Sequence, residues 1–98
     1  MAIVRPELLS ETYIQRIMAH HTTASEAGMV FEQTKPKLAA CTHIVFLASD
    51  RIGPASLADL TAETRKTYGG PLEIGEDLMC FDIGETVLVR RNVQPNVR

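Results

Sequence analysis

The chain has little of what marks several protein classes. Its two cysteines, Cys41 and Cys80, are too few for a disulfide framework, so reduced thiols and a cytoplasmic setting are expected. Aromatic residues make up 5% and the formal net charge is -2. Such a chain has neither a global positive field nor an aromatic-lined basic surface, and nucleic acid is a poor first partner. Arg90 and Arg91 form only a small basic end. No apolar run approaches the roughly 20 residues that span a bilayer. The opening MAIVRPELLSE carries an arginine, a proline and two glutamates in place of a signal-peptide core. Neither C-x-x-C nor H-E-x-x-H occurs, and there is no internal repeat or low-complexity segment.

What is there is the balance of a folded protein. The 98 residues are 45% hydrophobic and 22% charged, enough for one domain with a modest core, taken as residues 1–92 with a flexible tail over 93–98. Pro6 followed by LLSETYIQRIMAH predicts a first helix with Leu9, Tyr13, Ile14, Ile17 and Met18 on one stripe. Thr23 with Glu26 three residues on fits a capping box for a second helix, TASEAGMVFEQTK, whose Ala27, Val30 and Phe31 share a face and whose end is set by Lys35-Pro36. Gly28 weakens that helix by roughly 1 kcal/mol relative to alanine, which points to close packing against a neighbour.

LAACTHIVFL is a nearly unbroken apolar run and predicts one central strand covered on both faces. Pro54 predicts the start of a third helix, PASLADLTAETRKTY, with Leu57, Leu60 and Thr64 inward and Gly69-Gly70-Pro71 as its stop. LEIGEDLMCFDIGETVLVRR then predicts short strands in a hairpin or meander. The class is α/β.

Candidate chemistry gathers between His20 and Asp50. Side chains alternate across a strand, so Cys41 and His43 on one strand would share a face as a chelating pair. Asp50 and Arg51 follow at the strand's C-terminal edge, where functional groups collect in α/β proteins, and Asp50 is a candidate oxygen ligand or base. His20 and His21 precede a helix N-terminus, which favours an anion such as phosphate. Each residue also has a plain structural reading: Cys41 as a small core filler, His43 as a satisfied core histidine, Asp50 as a turn residue, and Glu76-Asp77 as a solvated bend.

HTTASEAGMVFEQTKPKLAACTHIVFL, followed by YGGPLEIGEDLMCFDIG, resembles the C-terminal part of metallo-β-lactamase-fold hydrolases, in particular the ribonuclease Z and arylsulfatase-like branch. The likeness runs from about Tyr13 to Val89 and is carried by a histidine-threonine-threonine element before a helix and a threonine-histidine pair ending the next strand. It implies an αββα sandwich with two zinc or manganese ions and a metal-activated hydroxide. It also implies that His43 is a metal ligand and that His21 sits beside the metals and assists the reaction, with no role for His20. The histidine-x-histidine-x-aspartate-histidine cluster of that family does not occur here, nor do its later lone histidine and bridging aspartate.

The chain therefore reads as about one third of that fold: a partial αβ layer of about three helices, a core strand and a short C-terminal hairpin or meander, completed by oligomerisation. A catalytic zinc takes three protein ligands and an open position. One inherited ligand does not suffice, whereas symmetry multiplies scarce ligands. The expectation is a Zn2+ (alternatively Mn2+) site drawing on His43, His21, Cys41 and His20, with His21 or Asp50 as base. It would hydrolyse a small phosphotriester or phosphodiester in a homo-oligomer. The alternative is a non-catalytic module that self-associates or binds a partner without a metal.

Overall fold

A computed structural model describes residues 1–91; the predicted tail over 93–98 lies outside the described residues. Three short parallel and antiparallel strand pairs are laid down among three helices. In chain order these are β1 (Ala2–Val4), a 3-10 turn (Pro6–Leu8), α1 (Thr12–Met18), α2 (Ala24–Thr34), β2 (Ala39–Cys41), β3 (Val45–Leu47), α3 (Leu57–Arg65), β4 (Leu72–Ile74), β5 (Cys80–Ile83) and β6 (Val87–Arg90). β1 pairs in parallel with β3, β2 in parallel with β4, and β5 with β6 as an antiparallel hairpin. The chain is thus an α/β layer. No described helix is long and apolar enough to cross a membrane.

Alternation along β1 and β3 divides the core in two. Ala2 and Leu47, with Val4 and Val45 beside them, meet Leu8 and Ile14, and Ile17 and Met18 of α1 pack against this cluster. Ile3 meets Ala24 of α2 and Leu60 of α3, with Ile44, Phe46 and Ile74 against them. Successive residues on these strands therefore serve opposite helical layers, which is the covering on both faces expected of a buried parallel pair.

The α2–α3 contact is close. Ala24, Ala27 and Gly28 are buried and Phe31 is half-buried, a face at i, i+3, i+4 and i+7. A Cβ at Gly28 would lie 2.6 Å from the Thr64 carbonyl oxygen and nearer still to the Thr67 hydroxyl. Phe31 meets Tyr68 edge-on with ring centroids 5.4 Å apart, and Thr67 Oγ1 donates to the Ser25 carbonyl at 2.8 Å. Val30, expected on this face, is instead 52% exposed.

Several boundaries differ from expectation for local reasons. The first predicted helix divides, because Leu9 and Glu11 close tight turns onto Pro6 and Leu8 before α1 begins with Glu11 as its N-cap. α3 starts at Leu57 rather than Pro54, because Ser56 and Asp59 form a reciprocal capping box. Leu57 consequently falls on the first turn and is 54% exposed, while Leu60 and Thr64 are fully buried. The expected single core strand is two strands. His43 adopts a left-handed backbone (φ 51) and interrupts the extended run between Cys41 and Val45, a conformation histidine tolerates better than β-branched neighbours do.

The layer is thin. Its extents are 45 × 44 × 20 Å and its radius of gyration is 15.4 Å, against about 13 Å for a compact domain of this length. Hairpin residues Ile83 and Leu88 are 83% and 63% exposed, and Leu78 is 74% exposed. A single copy leaves these apolar side chains in water.

Candidate functional site

The left-handed turn at His43 decides which side chains meet. Register in the β2–β4 pair runs to Cys41 opposite Ile74, and the Gly75 N–H donates to the Cys41 carbonyl at 2.7 Å. A Cβ at Gly75 would stand 2.8 Å from that same oxygen, so glycine permits the exit of β4 to hug the exit of β2. Two residues past the last pair on each strand, His43 and Glu76 then stand level. They share a cavity of about 460 Å3 with Asp77, and its apolar wall is formed by Ile44, Phe46 and Leu57.

The cavity is bounded by unusual backbone. Of the three non-glycine residues with positive φ among the described residues, Lys35 is the C-cap of α2, His43 (φ 51) lines the cavity, and Leu78 (φ 62) follows directly after Asp77 of its lining. A bulky leucine in this region carries strain of order 1–3 kcal/mol. The charges nearby are largely matched: Arg91 contacts Glu73 at 2.7 Å and Glu76 at 3.5 Å, and the Met1 ammonium donates to the His43 carbonyl oxygen at 3.3 Å. Asp77 makes no ion pair among the described residues.

The other sequence candidates are distributed around this point. Cys41 is buried at the end of β2, with 2% of its surface exposed, whereas His43 is exposed. The turn between them ends the strand alternation that would have put both on one face. Burial pushes the Cys41 thiol up from its ordinary value, with the nearby N-terminal ammonium opposing in smaller part. The thiol is held protonated and weakly nucleophilic, the condition of a core filler.

His20 is exposed and His21 half-buried, in the turn that leaves α1; their N–H groups donate to the Ile17 and Met18 carbonyls at 3.1 and 3.2 Å. Ala2 lies between Thr23 and Val45 in parallel register. His21 precedes Thr23 and His43 precedes Val45, but both lie in turns outside the paired residues, and His21 is not among the residues that line the His43 cavity. Asp50 is at the other end of β3, exposed, in a separate cavity of about 560 Å3 with Glu11, Tyr13 and Arg51. The structure does not bring His21 and Asp50 to one place.

Among the described residues no three His, Cys, Asp or Glu side chains converge closely enough to hold a metal ion. One chain by itself does not fit a catalytic zinc, which takes three protein ligands. Glu76 and Asp77, read from sequence as a solvated bend, are the carboxylates that accompany His43. The signal for them was the Gly75 that precedes them, a glycine at a strand end where another backbone passes close. Neither protein-family models nor curated proteins gave a match to this chain.

Proposed function

We propose that this chain is one subunit of a metal-dependent phosphoester hydrolase, with a site completed where copies associate. The observation that carries the reading is the cavity that His43, Glu76 and Asp77 line together with the exposed Leu57. Association that buries Leu57 would bring two such cavities together, and a two-fold axis there doubles the ligand set of each chain. The resemblance supplies the metal, zinc or manganese, and the assignment of His43 as a ligand. His21 and Asp50 lie outside this cavity and would join the site only from a neighbouring copy.

The reaction class is hydrolysis: oxygen from water bonds to phosphorus, the bond to the leaving oxygen breaks, and the leaving group departs as an alcohol or phenol. Esters with good leaving groups suit a site with no evident acid to protonate the departing oxygen.

The test is the rate on aryl phosphotriesters and phosphodiesters as protein concentration is varied. Specific activity should rise with concentration through the association range, vanish with a chelator and return with Zn2+ or Mn2+. It should be lost in His43→Gly, which keeps the left-handed turn but removes the imidazole. Activity that is indifferent to chelation, or full activity in His43→Gly, would refute the proposal.

A second reading is favoured by the exposed hairpin residues Ile83 and Leu88: a non-catalytic module that self-associates or joins a partner. It predicts an oligomer of unchanged mass with or without metal.

A further inference from the structure

The cavity beside His43 has an apolar side and an acidic mouth, and the two together restrict its ligand. Ile44 and Phe46 are half-buried and pack against the core cluster around Leu60, while His43, Glu76 and Asp77 are exposed. At about 460 Å3 the space suits a small organic molecule with one ring or a few alkyl groups. The cations close by are engaged: Arg91 with Glu73 and Glu76, and the Met1 ammonium with the His43 carbonyl oxygen. Asp77 is left facing the mouth without a cation among the described residues.

We infer that this cavity selects neutral esters bearing an aryl or alkyl group, such as phosphotriesters, over anionic diesters and monoesters. The inference rests on the hydrolase reading only for its ligand class, a phosphoester, and is drawn for the chain without metal, in which the carboxylate of Asp77 keeps its charge. The apolar group lies against Ile44, Phe46 and Leu57, where burial removes it from water. A ligand carrying its own negative charge would meet the carboxylate of Asp77, with the low-polarity wall on its other side limiting screening. A neutral ester meets no such opposition.

The experiment separates ligand selection from turnover. Wild-type protein without added metal is titrated with diethyl phenylphosphonate, a neutral ester, and with ethyl phenylphosphonate, the matching monoanion, while the methyl signals of Ile44 and Leu57 are followed by NMR. The neutral probe should shift both residues saturably and bind at least about five-fold more tightly than the anion, roughly 1 kcal/mol. In Asp77→Asn the gap should close to within about two-fold, through tighter binding of the anion. Asp77 is exposed, so this variant is expected to keep the wild-type dispersion of signals. Equal binding of the two probes, absence of saturable shifts at Ile44 and Leu57, or an unchanged gap in Asp77→Asn would overturn the inference. If the preference holds but no ester is hydrolysed with any metal, the hydrolase reading fails and the ligand selection stands.

Discussion

Gly28→Ala sets two known effects against each other, and the distance between α2 and α3 decides the sign. In an isolated helix the change stabilises by about 1 kcal/mol through propensity. Here the new methyl would stand 2.6 Å from the Thr64 carbonyl oxygen and closer to the Thr67 hydroxyl. The hydroxyl can rotate away only by giving up its hydrogen bond to the Ser25 carbonyl, at a net loss of about 1 kcal/mol. The carbonyl is backbone within α3 and moves only with the helix, an overpacking cost of about 1–3 kcal/mol. The balance is a net destabilisation of about 1–3 kcal/mol, and each kcal/mol lowers the melting temperature of a domain this size by about 4–8 °C. Urea unfolding followed by far-UV circular dichroism should show a lower midpoint with an unchanged slope. Adding Thr67→Ala should return only part of the loss, since the backbone contact persists. A neutral or more stable Gly28→Ala would mean that the two helices do not approach as described.

Further predictions concern caps, strain, pH and the exposed faces. Ser56→Ala removes the N-cap of α3 and should cost about 1 kcal/mol in the same assay; no loss would argue that α3 starts elsewhere. Leu78→Gly relieves a left-handed leucine and should leave unfolding stability equal or higher by up to about 1 kcal/mol, while weakening self-association in sedimentation because an exposed apolar side chain is lost. Backbone and side-chain hydrogen bonds from Thr23 and Ser56 hold the carboxyls of Glu26 and Asp59 below the usual range, and Arg90 does the same for Asp82. Depressed carboxyls stabilise the fold above their unfolded values, near pH 4, and that stability is lost as pH falls through the lower folded values. Helix content between pH 5 and pH 2.5 should therefore fall less steeply in a Glu26→Gln/Asp59→Asn variant than in wild type; an identical slope would separate the caps from the acid response.

The elements with several turns of pattern or a cap were readable from sequence. α2 has its Thr23–Glu26 capping box and its close approach at Gly28 as expected, and the β5–β6 hairpin follows from alternation around Gly84. β1 was not readable: three residues, Ala2–Val4, offer no period, and their strand character comes from pairing with Val45–Leu47 far along the chain. β4 was placed in the C-terminal hairpin by proximity in sequence, whereas its partner is β2, a tertiary choice. The site shows the same division. His43 was identified as the residue of interest, but its pairing with Cys41 assumed an unbroken strand, and one left-handed residue removes that relation. Glu76 and Asp77 become its companions only through the parallel register of β2 and β4, which no local pattern encodes.

The turn at His43 also determines how its role is best tested. Alanine there would combine loss of the imidazole with the roughly 1 kcal/mol cost of a left-handed β-carbon, whereas glycine adopts φ > 0 freely. The most direct measurement is metal per chain, by elemental analysis of the size-exclusion peak at a determined mass, for wild type and His43→Gly. The proposed function predicts zinc or manganese at a fixed ratio in an oligomer of wild-type chains, and its loss in His43→Gly with the fold retained. A wild-type oligomer that carries no metal after zinc or manganese is supplied, or a His43→Gly variant that binds the same amount, would contradict it.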